Sequence, residues 1–226
     1  RWVNAVANVR AKCVFWGCAI QFATVAVKSM KKNEIYEGIV SGYGTEGEGI
    51  ISLNGTTAFV PFCLIGEKLS FKVLKTDGKI AYGKAEKIID ASEKRVAPPC
   101  PVFGKCGGCA LQHMKYEEQL EFKRQTVLTA LKKIGGIDFP VSKTVPCDSE
   151  YRYRNKLALP IGVADGQTVC GFYGARSHRI VPVKDCLIQS DWVGAVISAV
   201  TKFSKERGVP AYDESTGKGV LRRIVV

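Results

Sequence analysis

Ile50-Ile-Ser-Leu-Asn-Gly-Thr-Thr-Ala-Phe-Val60 is the stretch whose reading decides the fold. Asn54-Gly55 is a strong hairpin signal, because a type I′ turn needs positive φ at both central residues and Asn and Gly accept it at least cost. Apolar and β-branched residues flank the turn, so two short strands are expected. Upstream, Glu34-Ile-Tyr-Glu-Gly-Ile-Val40 alternates and runs into a glycine-rich turn, Gly42-Tyr-Gly-Thr-Glu-Gly-Glu-Gly49. Downstream, Leu69-Ser-Phe-Lys-Val-Leu74 and Ile80-Ala-Tyr-Gly-Lys-Ala85 flank Asp77-Gly78, a second hairpin turn. Five short strands with tight turns predict a small all-β, OB-like barrel over residues 31–90.

The rest of the chain reads differently. Residues 91–114 form a linker with Pro98 and Pro99, followed by a cysteine-rich loop. Residues 115–226 read as the start of an α+β domain. A helix is expected over 115–134, with Leu120, Val127, Leu131 and Ile134 at helical spacing and Gly135-Gly136 as its stop. Strand-like runs follow at 155–161, 168–173 and 179–183, then a helix over 191–207 and a last strand at the C-terminus. A chain ending within a strand is expected to continue in a longer protein. Residues 1–30 stand apart. Residues 1–33 hold no Asp or Glu, the run 13–27 is nearly uncharged, and the first methionine is Met30. The run is too short for a membrane span, which takes roughly 20 apolar residues. The segment is expected to be an upstream gene-model extension, with a targeting segment as the alternative.

Thirty-three Lys and Arg against 21 Asp and Glu give a formal charge of +12. That surplus favours a polyanionic partner, nucleic acid first, since each neutralised phosphate releases counterions. There are nine cysteines, an odd number in a chain longer than small disulfide-stapled domains. Metal binding in a reducing compartment is the expectation.

Cys100-Pro-Val-Phe-Gly-Lys-Cys106-Gly-Gly-Cys109 is the most specific local motif. Cysteines two residues apart can turn both sulfurs toward one centre, and Gly107-Gly108 lets the backbone curl around it. Cys100 adds a third thiolate. A closed zinc site or an iron–sulfur cluster needs a fourth, with Cys186, Cys147 and Cys170 as candidates. Spacing alone leaves zinc and iron–sulfur equally open. The glycine-rich stretch 42–49 is not a phosphate loop, because a strand and not a helix follows it. Neither His113 nor His178 has an evident catalytic partner in sequence.

Tyr151-Arg-Tyr-Arg-Asn-Lys156 alternates rings and cations, and Asp165 is the only acid between Tyr151 and Lys184. A strand of this pattern can aim guanidinium groups at phosphates and rings at bases. Arg152, Arg154, Lys156, Arg176 and Arg179 are the expected RNA contacts. The alternative is a structural role, with the arginines held by acids such as Asp148 or Glu150.

Taken together, residues 31–226 resemble the RNA uracil-5-methyltransferases. The similarity is to the branch with a TRAM domain and an iron–sulfur cluster, which includes RumA-type enzymes acting on 23S ribosomal RNA. Gly47-Glu-Gly-Ile50, Ala58-Phe-Val-Pro-Phe62 and Gly66-Glu67 resemble the TRAM barrel. Cys100-x5-Cys106-Gly-Gly-Cys109-x-x-Gln112 resembles the cluster loop, and Tyr151-Arg-x-Arg154 with Asp185-Cys186 the start of the central domain. The resemblance implies a [4Fe-4S] cluster on Cys100, Cys106, Cys109 and Cys186. It also implies S-adenosylmethionine in the full-length enzyme, with a nucleophilic Cys that adds to C6 of uracil and a carboxylate that removes the C5 proton. No residue here matches that nucleophile motif, so the catalytic residues and methyl-donor domain are expected beyond the C-terminus, and the chain alone is expected to be inactive. An RNA partner, ribosomal rather than transfer RNA, a cytoplasmic monomer and no membrane contact complete the expectation. A stand-alone RNA-binding or ribosome-associated protein with a structural metal is the competing reading.

Overall fold

The computed structural model describes residues 29–164 and 166–226. The acid-poor segment up to residue 28, with its apolar run, lies outside the described residues, and so does the expectation about its origin.

Six strands make the first sheet: β1 (Ile35–Ile39), β2 (Gly42–Tyr43), β3 (Gly49–Leu53), β4 (Thr56–Val60), β5 (Lys68–Thr76) and β6 (Ile80–Asp90). Their order is β1-β5-β6-β4-β3-β2. Asn54 and Gly55 sit at φ 53° and 72°, the left-handed pair that the β3–β4 hairpin requires. β4 and β6 pair in parallel, whereas the other neighbours are antiparallel. After β1 the chain changes partners. Val40 N–H donates to the Glu67 carbonyl at 3.0 Å, and Ser41 N–H donates to the Ile50 carbonyl at 2.8 Å. One continuous stretch therefore bonds toward β5 and then toward β3, which curls the sheet as an OB-like unit requires. Hence there are six strands and not five: the glycine-rich stretch read as a turn contains β2, whose glycines hide any side-chain alternation.

Alternate residues point inward, as in β4, where Thr56, Ala58 and Val60 are buried and Thr57 and Phe59 are not. The core they enter gathers Met30, Val40, Ile51, Leu69, Phe71 and Val73. Each such side chain contributes about 1.5–3 kcal/mol on burial.

The second layer comprises α1 (Tyr116–Lys133), β7 (Ala158–Ala164), β8 (Gln167–Tyr173), β9 (Ile180–Pro182), α2 (Val193–Arg207) and β10 (Arg223–Val225). Its antiparallel sheet runs β10-β7-β8-β9. α2 covers one face, with Val193 and Ile197 packing into the cluster of Leu157, Leu159, Ile161 and Cys170. Gly208 closes α2 at φ 59°.

Two expectations change. α1 forms where helical spacing placed it, but Val127 and Ile134 are 49% and 87% exposed. Its contact with the barrel comes from Phe122, edge-on to Tyr43 at 5.5 Å, and from Glu118, which accepts the Tyr43 hydroxyl at 3.2 Å and pairs with Lys94. Residues 151–156 are not a strand. Arg152 takes φ 60°, and Arg154 makes an isolated bridge to Gln189. An αL residue cannot continue a pleat.

A buried ion pair joins the barrel to the linker. The Glu67 side chain is 0% exposed, and Arg95 meets it through Nε at 2.6 Å and Nη2 at 2.7 Å. Glu67 also accepts the Leu64 and Ser92 amides at 2.8 and 3.3 Å, and Arg95 donates to the Phe62 carbonyl at 2.8 Å. Burial pushes the Glu67 carboxyl up, but these donors outweigh it and hold it below the usual carboxylate range. Beside this pair His113 is buried between Phe62 and Phe103, at 5.9 and 5.8 Å, with neither ring nitrogen in a hydrogen bond among the described residues. Burial, reinforced by the charge of Arg95, pulls its pKa down to about 4.

Arg95→Ala is expected to destabilise the fold by about 3–5 kcal/mol in chemical denaturation, because it leaves a buried carboxylate unpaired. A depressed folded pKa for His113 means that the unfolded chain binds its proton first. Its contribution is therefore full above about pH 6.5 and is lost as pH falls toward about 4. His113→Leu is expected to flatten the stability profile in that window, read by denaturant midpoints from pH 7 to pH 4.

Candidate functional site

Cys100, Cys106 and Cys109 lie in a run of turns between the linker and α1. Backbone bonds fix this loop to the second sheet. Cys106 bridges Gly174, and Gly107 N–H donates to the Tyr173 carbonyl at 2.9 Å. Position 107 needs glycine for this approach, since a Cβ there would stand 3.1 Å from both the Tyr173 carbonyl oxygen and the Ala175 nitrogen. Gly108 N–H points at the Cys106 sulfur at 3.4 Å.

Cys186 follows β9 and lines the same small cavity, about 40 Å³, as the three loop cysteines, together with Phe103, Gln112 and Arg154. The competitors lie elsewhere. Cys170 is buried in the second core against the Thr201 hydroxyl at 3.7 Å. Cys147 is exposed, and its amide donates to the Tyr116 hydroxyl at 2.8 Å. Burial raises the thiols of Cys106 and Cys109, and the neighbouring cysteine charges raise them further. Four thiolates here would repel one another unless a cation sat among them, so the donor set fits a cationic metal group.

Among the described residues, no three or more His, Cys, Asp or Glu side chains are gathered as a single metal ion requires. Ligands of one zinc ion stand about 2.3 Å from it and so within about 4.6 Å of one another. A cluster whose iron atoms each take their own thiolate has no such requirement. The four cysteines line one cavity without the spacing of a metal site.

Arg152 holds the Cys186 loop. Its guanidinium donates to both Asp185 carboxylate oxygens at 3.1 and 2.7 Å, pairs with Asp191 at 3.0 Å, and reaches the carbonyls of Cys186 and Gln189 at 3.1 and 3.2 Å. Those hydrogen bonds hold the Asp185 carboxyl below the usual range. The geometry gives Arg152 work within the protein, through Asp185 and Asp191 and not the nearby Asp148 or Glu150. Arg154 borders the cysteine cavity. Lys156 is exposed ahead of β7, and Arg176 and Arg179 are exposed in the β8–β9 turn. These four have no carboxylate ion pair among the described residues.

A second recess of about 800 Å³ lies against β7 and is lined in part by Tyr173, His178, Tyr212, Asp213, Glu214 and Arg222. His178 stacks on Tyr173 at 5.3 Å and approaches Glu214 at 3.5 Å, while Arg222 lies 4.0 Å over the Tyr212 ring. Sequence gave His178 no partner, because Tyr173 and Glu214 lie on other segments.

No protein-family model matches the chain. It is 44% identical over 197 residues to a protein of Clostridium tetani named uncharacterized RNA methyltransferase, covering 87% of this chain and 43% of that one. Proteins of the same description from Clostridium acetobutylicum and Halalkalibacterium halodurans are 41% identical over 200 residues and 39% over 197 residues. The chain thus spans less than half the length of these relatives. Among solved structures it matches the tRNA (uracil-54, C5)-methyltransferase of Pyrococcus abyssi in complex with S-adenosyl-L-homocysteine. The TM-score is 0.59 and the identity 27%, with 84% of this chain and 42% of that one covered.

Arg152→Ala is expected to free the Cys186 loop while leaving both cores intact. Hydrogen exchange at the amides of residues 184–189 would accelerate, whereas β4 and β5 amides would keep their protection. Unchanged exchange at 184–189 would refute this role for Arg152.

Proposed function

We infer that this chain, which belongs to the RNA methyltransferase family, is the RNA-holding, cluster-bearing stretch of an enzyme that methylates C5 of uracil. What carries this reading is the shared fold: most of the chain superimposes, at 27% identity, on a structure of a uracil C5 methyltransferase. The whole protein would take its methyl group from S-adenosylmethionine, the donor form of the compound bound in that neighbour. A cysteine thiolate adding to C6 makes C5 nucleophilic, and a base removing the C5 proton restores the ring. We assign neither role within this chain. The Cys63 thiol is pushed up to about 12 by burial, and burial raises Cys170 as well.

Cys100, Cys106, Cys109 and Cys186 would hold a [4Fe-4S] cluster. The bound cluster would supply a covalent tie between the loop and the second sheet and a one-electron centre. The chain's own residues do the rest. The Gly108 amide faces a sulfur, Arg152 holds the strand exit carrying Cys186, and the Glu67–Arg95 pair anchors the linker leading to Cys100. The proposed substrate is ribosomal RNA, held in part by Lys156, Arg176 and Arg179.

Protein purified without oxygen is expected to be brown, with broad absorbance near ~400 nm. Cys106→Ser and Cys186→Ser would lose that colour and the bound iron, whereas Cys147→Ser and Cys170→Ser would keep both. Colourless protein with one zinc per chain would overturn the cluster. For the activity, the complete protein with labelled S-adenosylmethionine is expected to methylate uracil C5 in ribosomal RNA transcripts. Labelling of transfer RNA alone would correct the substrate, and labelling of any other base would overturn the reaction.

A further inference from the structure

We propose that the outward face of β4, β6 and β5 is a platform for an unpaired stretch of RNA, with Phe59 and Tyr82 stacking on its bases and Lys72, Lys75 and Lys84 holding its phosphates. The proposal rests on the RNA reading above and deepens it by naming the surface and the state of the strand.

Phe59 and Tyr82 are register partners across the parallel β4–β6 pair, with ring centroids 5.9 Å apart and planes 26° apart. Their chain neighbours Ala58, Val60 and Ala81 are buried, so these rings belong to the opposite, solvent-facing side. Tyr82 is 41% exposed. Ile50 extends the row on β3 and Lys75 on β5, as partners of Phe59 and Tyr82. A ring pair outside the core offers flat apolar area where water otherwise lies, as in proteins that stack single-stranded bases.

Cations occupy the next row. Lys84 is two residues beyond Tyr82, about 6.6–7 Å along the strand, and its register partner on β5 is Lys72. Like charges directly opposite on one sheet face destabilise it. Lys72, Lys75, Lys79 and Lys84 have no carboxylate at ion-pair distance among the described residues. Glu48 borders the Phe59 end of the face, sharing the surroundings of Gly44 with that ring, and Glu37 pairs with Lys68 at 3.7 Å, while the acids nearest the lysine row are otherwise placed. Asp77 accepts the amides of Lys79 and Ile80 at 3.0 and 2.7 Å, and Glu86 falls in a β6 bulge between the residues that face Phe71 and Ser70. A strand of phosphates would relieve this repulsion. The Tyr173–Tyr212 recess also has rings and an arginine, but Asp213 and Glu214 line it and would repel phosphate.

The test uses the full 226-residue chain, a labelled unpaired 12-nucleotide RNA and a duplex of about the same length, with affinity measured across a salt series. Phe59→Leu and Tyr82→Leu keep apolar bulk, and each is expected to weaken single-strand binding roughly tenfold with less effect on the duplex. The Lys72→Gln, Lys84→Gln double variant is expected to flatten the slope of log affinity against log salt by about 1.4. It should retain or gain thermal stability, whereas lysines with a merely structural role would lose it. Wild-type affinity and slope in folded variants would overturn the platform and leave the RNA reading standing. Failure of the wild-type chain to bind either RNA at low salt would overturn that reading and the platform with it.

Discussion

The buried pair of Glu67 and Arg95 is the constraint on which the rest of the arrangement depends. Glu67 alone would be a charge held away from water, and it and the half-buried Arg95 satisfy one another and three backbone groups. The consequence is positional. Glu67 opens the turn into β5, while Arg95 bridges Met114 just before α1. The pair therefore pins both ends of the cysteine-rich segment to one point on the barrel. His113 and the aromatic side chains of Phe62 and Phe103 fill the space beside it, so the loop starts from a rigid, dry base.

From that base the loop reaches across to the second sheet, where Cys106 and Gly107 bond to the end of β8. The fourth cysteine follows β9, the strand beside β8 in the same sheet, on a segment held by Arg152. The cavity that the four cysteines line is thus built by three independent anchors: an ion pair, a β-bridge and a guanidinium clamp. Two of them, the ion pair and the clamp, are made of residues that are not cysteine.

Much of this was legible in sequence, and the boundary has physical reasons. The Asn54-Gly55 turn, the two helices and the β7–β8–β9 run are local, and local chemistry wrote them plainly. Cys100, Cys106 and Cys109 announced themselves by spacing. β2 did not, because glycines carry no alternation. Arg95 looked like linker, since nothing near it in sequence names Glu67 as its partner. The alternation of Tyr151 to Lys156 suggested a strand, yet the αL turn at Arg152 serves a clamp whose acids lie more than thirty residues away. The spacing of Val127 and Ile134 gave the helix correctly and its buried face incorrectly, because the contact with Tyr43 was decided by the barrel.

The parallel pairing of β4 with β6 also constrains the order in which the barrel can assemble. β3–β4 and β5–β6 are hairpins whose strands meet after short turns, so their closure costs little chain entropy. The parallel ladder joins those two units only after the intervening residues have looped back, and β1 must then find β5 across most of the barrel's length. Assembly by late, non-local docking of preformed hairpins is slow relative to helical proteins of similar size. Until that docking is complete, the facing edges of β4 and β6 remain open, and this is the interval in which a nascent barrel is most exposed to pairing with another chain.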